Sequence, residues 1–280
     1  MSPKLDIFPF HPFHQKGEPF LIAGPCSAES REQVLATADK LSKIPQVKLF
    51  RAGIWKPRTR PNAFEGIGEE GLKWLEEVQE TYQLQATVEV AKPEHVEACL
   101  KHNIKTLWIG ARTTANPFSV QELAEAMQGH DISVLIKNPL HPDLNLWLGA
   151  IERINKAGIK KIAAIHRGFF TSDNKPFRNL PMWEIPIELK RLSPDLPVLC
   201  DPSHISGDRS LIYTISQKAY DLAFEGLMIE SHINPSKALT DASQQIEPDA
   251  LGDILEQLVI RQEYGNKDFE NKLESLRRDI

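Results

Sequence analysis

Short runs rich in Val, Ile, Leu, Phe and Ala recur along the chain with amphipathic stretches between them, a pattern of buried parallel strands alternating with covering helices. In order the runs are FLIAGPCS, VKLFRAGI, QATVEV, TLWIGA, SVLIKN, KIAAIHRG, PVLCDPSH and GLMIESHI. Between them, EEGLKWLEEVQETYQ sets Leu72, Leu75 and Val78 on one side, and KPEHVEACLKHN carries proline at its start, where a helix tolerates it. DLNLWLGAIERINKAG closes on Gly158, and DALGDILEQLVIRQEYG repeats Leu251, Ile254, Leu255 and Leu258 before Gly265. Eight strand–helix units in about 250 residues match a closed (β/α)8 barrel better than an open doubly wound sheet. The predicted fold is an α/β TIM barrel over residues 1–264 with a short N-terminal extension, followed by a helical tail over 265–280.

A parallel barrel carries its chemistry at the carboxyl ends of the strands and in the loops that follow. The polar residues obey that rule: Cys26, Arg51, Lys56, Glu89, Arg112, Lys137, His166, Arg167, Asp201, His204, Glu230 and His232 all end or follow one of the eight runs. A merely solvated surface would scatter its charges among the helices.

Composition narrows the picture. The chain has 280 residues, 41% hydrophobic and 25% charged, with a net charge of −5, which disfavours nucleic acid as a partner. Any bound anion must therefore be met by locally gathered Lys and Arg. Cys26, Cys99 and Cys200 are odd in number and widely spaced, which points to a reducing, cytoplasmic compartment. Pro, His and Asp interrupt the N-terminus where a signal peptide needs an apolar core, and no apolar run reaches the roughly 20 residues of a membrane span, so no membrane association is expected.

Two constellations emerge at the strand ends. Cys26, His204, Glu230 and, after the eighth strand, Asp241 form a mixed sulfur, nitrogen and oxygen donor set suited to one divalent first-row metal such as Mn, Fe, Co, Zn or Cu. Taken singly each has a plain structural reading: a packed small residue, a turn cap, a lysine partner, a helix N-cap. The second constellation is cationic: Arg51, Lys56, Arg58, Arg112, Lys137 and Arg167, in a chain of negative net charge, suit a phosphate or carboxylate ligand. The loop GIWKPRTRPNAFEGIGEEG holds two of them, Lys56 and Arg58, with Arg60 beside them, and its glycines lack the βαβ context of a dinucleotide fingerprint. With few acids at the strand ends, this reading expects a rim of unmatched cations.

AGPCS, FRAGIWKPRT, ATVEV, IGAR, VLIK, HRGF, PVLCDPSH and GLMIESH followed by KALTD resemble, in order, the motifs of 3-deoxy-D-arabino-heptulosonate 7-phosphate (DAHP) synthases of the short type I beta form. The resemblance implies a barrel enzyme that condenses phosphoenolpyruvate with erythrose 4-phosphate and water, releasing phosphate, at the head of the shikimate pathway to aromatic amino acids. It implies Cys26, His204, Glu230 and Asp241 as metal ligands, with Mn2+ the first choice of ion. It further implies Arg51, Lys56, Arg112, Lys137 and Arg167, with Glu89 nearby, on phosphoenolpyruvate, and Pro57, Arg58, Thr59 and Asp201 on the aldose phosphate. Lys56, reaching both substrates, is the candidate proton donor to the new alkoxide. A homo-oligomer is expected by the same resemblance.

The rival within the superfamily is the octulosonate 8-phosphate synthase, which takes arabinose 5-phosphate and carries a Lys-Ala-Asn-Arg-Ser type of sequence where this chain has Lys56-Pro57-Arg58-Thr59. Arg60, Asn62 and Asn138-Pro139 depart from the short synthases' usual residues. A plain metal-dependent aldolase would not need so many cations, and a silent binding scaffold would be free to lose Cys26 or Lys56. NKDFENKLESLRRDI resembles the opening of the first helix of a chorismate mutase, so the tail is expected to begin a fused mutase domain. Cys99 and Cys200 read as core, His11, His14, His95, His102, His130 and His141 as surface or loop residues, and His166 and His232 as near the site without being ligands.

Overall fold

A computed structural model describes residues 5–8, 20–56, 64–173, 175–260, 271, 274 and 275. Within them eight parallel strands close into a barrel in sequence order. They are β1 (Phe20–Gly24), β2 (Val47–Arg51), β3 (Gln85–Val90), β4 (Thr106–Ile109), β5 (Ser133–Lys137), β6 (Lys161–His166), β7 (Val198–Cys200) and β8 (Gly226–Glu230). Phe20 through Gly24 pair with Gly226 through Glu230, which joins β8 to β1 and leaves no open edge. The strands occupy the front of each predicted run, and the ends PCS, GI, DPSH and SHI form the loops above the barrel.

The helices are α1 (Arg31–Leu41), α2 (Glu70–Tyr82), α3 (Pro93–Lys101), α4 (Ala111–Thr114), α5 (Pro117–Met127), α6 (Leu144–Lys156), α7 (Glu184–Leu192), α8 (Pro202–Ser206), α9 (Ile212–Asp221) and α10 (Pro248–Gln257). In α6, Asp143 accepts a hydrogen bond from the Leu146 N–H at 2.9 Å, and Trp147, Ala150, Ile151 and Ile154 bury one face at helical spacing. One helix is shorter than its periodicity predicts. The apolar repeat continues to Leu258, but α10 stops at Gln257 because the Gln217 side chain takes both the Val259 N–H and its carbonyl, each at 2.9 Å, and draws the backbone out of the helix. The N-terminal extension folds under the start of β6, where the Phe8 N–H donates to the Lys160 carbonyl at 3.0 Å and Asp6 pairs with Lys160 at 2.6 Å. Residues 265–270 and most of 271–280, the expected mutase opening, lie outside the described residues.

Two apolar clusters divide the interior. The larger lies between strands and helices; the smaller fills the barrel and includes Ile22, Leu49, Trp108, Leu135, Ile165, Leu199 and Met228. Side chains alternate along a strand, so two residues further on the same inward face reappears. Arg51 thus follows Leu49, Lys137 follows Leu135, Arg167 follows Ile165, Asp201 follows Leu199 and Glu230 follows Met228. A charged layer sits directly on an apolar one. The intervening residues face outward: Cys200 joins the larger cluster, and His166 packs among Phe169, Trp183 and Phe224, where burial pushes its pKa down to about 3 and keeps it neutral.

Because the inner apolar layer supports the charged one, truncating it should cost more than truncating an exposed side chain. Leu135→Ala is expected to lower the unfolding free energy by about 2–5 kcal/mol, whereas Phe118→Ser, at 83% exposure, should change it by less than about 0.5 kcal/mol. Urea denaturation followed by circular dichroism measures both.

Candidate active site

The first strand places its cysteine by a turn that only glycine enters easily. Gly24 has φ +149°, and a Cβ there would lie 2.1 Å from the Arg51 carbonyl oxygen, so the backbones of β1 and β2 touch at this point. Beyond the turn the Cys26 carbonyl accepts from Lys56 Nζ at 2.8 Å, Arg51 Nη2 at 3.2 Å and the Gly53 N–H at 3.2 Å. Its N–H donates to Gln245 Oε1 at 2.9 Å. The residue is gripped on both sides of its peptide.

Its side chain meets two carboxylates. Donor atoms of Cys26, Glu230 and Asp241 all lie within 4.8 Å of one another, a group that could hold a metal ion. Cys26 Sγ donates to Asp241 Oδ2 at 3.3 Å and receives Lys56 Nζ at 3.0 Å. Burial, with Glu230 beside it, pushes the thiol up to about 12 against the pull of Lys56. Burial alone would also raise the Glu230 and Asp241 carboxyls. His204 and Arg51 hold Glu230 below its ordinary value, and Arg178 and His204 hold Asp241 below its own.

His204, the fourth expected ligand, stands beside this group. Its Nδ1 is 2.8 Å from Asp201 Oδ2 and its Nε2 is 3.7 Å from Glu230 Oε1. Among the described residues Glu230 Oε1 is fully buried and accepts no aligned hydrogen bond. A divalent cation fits that deficit: it would satisfy the orphaned oxygen and supply the positive charge that a thiolate needs here. Asp241 has φ +50° and caps no helix; it sits in a turn after β8.

The cations are less unmatched than the sequence suggests. Arg51 Nη2 lies 3.2 Å from Glu230 Oε1, and its guanidinium sits over the Trp108 ring at 4.9 Å. Lys137 Nζ pairs with Asp201 Oδ2 at 2.8 Å, both buried, and together with His204 it holds Asp201 well below the carboxylate range despite burial. The expected rim of unpaired cations is corrected accordingly, because alternation lifts Asp201 and Glu230 into the same inward layer. Two guanidinium groups still have donors that meet no anion. Among the described residues Arg51 Nε and Nη1 meet no acceptor, and Arg167, whose pKa burial lowers to about 10, donates from Nη1 only to the neutral oxygens of Gly168 and Asn179. Arg112 is close enough to Arg167 to contribute to that lowering. Glu89 accepts from Trp108 Nε1 at 3.1 Å. Pro57, Arg58 and Thr59 lie outside the described residues, as do His11 and His14.

Side chains that the sequence reading did not assign to the site complete the mouth. Asn138 Oδ1 accepts from the Arg167 N–H at 2.7 Å, and Asn179 bridges Arg167 Nη1 at 2.7 Å to the His204 carbonyl at 2.6 Å. Gln244 donates to Glu230 Oε2 at 2.7 Å, and Arg178 reaches Asp241 and Gln244. The polar run DASQQ, buried at both glutamines, is the one signal that could have drawn attention to them. His95, expected at the surface, is instead half-buried and stacked on Trp55 with centroids 3.9 Å apart.

Comparison with known proteins agrees with this architecture. The phospho-2-dehydro-3-deoxyheptonate aldolase of Thermotoga maritima is 32% identical over 238 residues, covering 85% of this chain and 68% of its own. A crystal structure of that organism's phospho-2-dehydro-3-deoxyheptonate aldolase (DAHP synthase) matches with a TM-score of 0.78 at 31% identity, covering 86% of this chain and 68% of the other. The 2-dehydro-3-deoxyphosphooctonate aldolase of Bordetella petrii is 26% identical over 282 residues, covering 91% of this chain and 92% of its own. A family model described as the DAHP synthetase I family matches residues 13–265, every strand of the barrel and every residue of the charged mouth included, and the chain belongs to that family.

Proposed function

We propose that this chain condenses phosphoenolpyruvate with erythrose 4-phosphate and water to give DAHP and phosphate, with one divalent metal ion, Mn2+ first, held by Cys26, His204, Glu230 and Asp241. The observation that carries the reading is the meeting of two deficits in one buried mouth. Among the described residues Glu230 Oε1, ion-paired with Arg51 Nη2 at 3.2 Å, has no aligned hydrogen-bond donor, while Nε and Nη1 of the same guanidinium have no acceptor. The first suits a cation and the second an anion, as a metal-dependent enzyme of anionic substrates requires.

When bound, the metal supplies Lewis-acid polarisation of the aldehyde carbonyl. The side chains account for the rest. Arg51, Lys137 and Arg167 with Arg112 bind the carboxylate and phosphate of phosphoenolpyruvate and hold two mutually repelling anions in reach of each other. C3 of phosphoenolpyruvate then bonds to the aldehyde carbon, and the electron pair of the carbonyl moves onto its oxygen. Lys56, 3.0 Å from Cys26 Sγ, gives that alkoxide a proton. Water adds to the cation left at C2, the C2–O bond to phosphate breaks and phosphate departs with the bonding pair; of the two water protons one replaces that given by Lys56 and the other leaves with phosphate, so the C2 ketone remains. Pro57, Arg58, Thr59 and Asp201 are assigned to the aldose phosphate, and Glu89, fixed by Trp108, borders the phosphoenolpyruvate side. The motif resemblance supports the type I beta form and a homo-oligomer, and the odd, widely spaced cysteines support a cytoplasmic setting; no helix of the described residues is long and apolar enough to cross a membrane.

Cys26→Ala should lose bound Mn2+ and turnover together, read by metal analysis and phosphate release; an active, metal-loaded variant refutes the ligand set. Lys56→Met should keep its metal and lose about 10²–10⁴-fold in kcat, the usual contribution of a general acid. Phosphate release should require erythrose 4-phosphate and stop with chelator. Faster release with arabinose 5-phosphate would instead move the chain to the octulosonate side, where its 26% identical relative stands.

A further inference from the structure

Three loops that the barrel strands send upward converge on one side chain. Arg178 belongs to the loop after β6, and its backbone N–H donates to the carbonyls of Ile205 at 3.0 Å and Ser206 at 3.1 Å, in α8 after β7. Its stem lies over Gly207, the left-handed C-cap of that helix (φ +68°), where a Cβ would meet Arg178 Cβ at 2.6 Å. From this seat Nη1 reaches the loop after β8, donating to Asp241 Oδ1 at 3.0 Å and to Gln244 Oε1 at 2.6 Å.

Gln244 carries the contact one step further. Its side chain is fully buried, and Nε2 donates to Glu230 Oε2 at 2.7 Å. The two oxygens of Glu230 thereby differ: Oε2 is engaged by Gln244, and Oε1 is turned towards Arg51 and His204. Asp241 is divided likewise, with Oδ1 on Arg178 and Oδ2 on Cys26 Sγ. An amide suits the middle position because it can accept from a guanidinium and donate to a carboxylate without adding charge. A carboxylate there would repel Glu230, and an apolar side chain would leave Oε2 buried without a donor.

We propose that Arg178 and Gln244 are positioning residues that act as a relay, orienting the Glu230 and Asp241 carboxylates so that one oxygen of each faces the metal. The proposal rests on the metal-site reading given above. It assigns neither residue a contact with substrate or metal. Outer partners of this kind typically change metal affinity by about 10–100-fold.

The test uses the full chain, stripped of metal and titrated with Mn2+, free ion being followed by electron paramagnetic resonance. Gln244→Met, close in volume and unable to hydrogen-bond through an amide, and Arg178→Met should each weaken Mn2+ binding about 10–100-fold. The double variant should bind Mn2+ more weakly than either single one, because Arg178 also holds Asp241 directly, but by less than the product of the two losses, because the Arg178–Gln244 contact is common to both. In the Co2+-loaded protein the thiolate charge-transfer band should persist while the d–d bands shift, and the lost turnover should return at raised Mn2+, which a merely folding-related defect would not allow. Wild-type Mn2+ affinity in both single variants, or a loss of turnover that excess Mn2+ leaves in place, overturns the relay. If Gln244→Met fails to fold, Arg178→Met decides alone, since 45% of the Arg178 side chain is exposed. A stripped wild type that takes up no Mn2+ overturns the metal-site reading itself, a failure visible before any variant is made.

Discussion

The Arg51 guanidinium, buried between the Trp108 ring and the Glu230 carboxylate, is the contact on which the mouth of the barrel depends. A buried cation is tolerated only with opposite charge and donors in place. Here it stabilises the ionised Glu230, gives one N–H to the Cys26 carbonyl and keeps Nε and Nη1 unengaged among the described residues. The same group therefore ties β2 to β8, fixes the β1 turn and presents a surface for an anion. Its position follows from Leu49 two residues earlier, which faces the barrel interior.

A site proposed to receive a metal cation and two phosphorylated substrates cannot neutralise all its own charges. Two solutions are visible side by side. Lys137–Asp201 and Arg51–Glu230 are direct ion pairs at one end of the mouth. Arg167 is held by amides and carbonyls alone, with Asn138 on its backbone and Asn179 on its guanidinium. Neutral partners orient a charged group while leaving its field available to a ligand. Asn138, which departs from the usual residue of the short synthases, still fills such a role: its amide also donates to the Pro139 and Gly168 carbonyls, bracing the β5 and β6 ends.

The barrel itself was legible because periodicity is a local property. Val47, Leu49 and Phe50, or Val134, Leu135 and Ile136, are buried whatever surrounds them, so each run names a strand without knowledge of its neighbours. Where a distant side chain intervened, the local pattern misled. Leu258 continues the apolar repeat of α10, yet Gln217 captures the Val259 backbone and ends the helix. His95 reads as a surface or loop residue, but the ring of Trp55 from the loop after β2 stacks on it.

For the candidate site the division is similar. Sequence by itself determined which residue types gather at the strand ends: Cys26, Arg51, Lys137, Arg167, Asp201, His204 and Glu230 each follow an apolar run, and strand direction then sends them all to one face. It also carried the family motifs, because those are contiguous. Tertiary structure alone decided pairing. Which carboxylate neutralises which cation, which oxygen of Glu230 stays unengaged, and that Arg178 reaches Asp241 across 63 positions of sequence all depend on how three loops fold over one another. Hydrogen bonds are specified by distances of a few ångströms and by angle, and strand periodicity sets a residue's face without setting its partner.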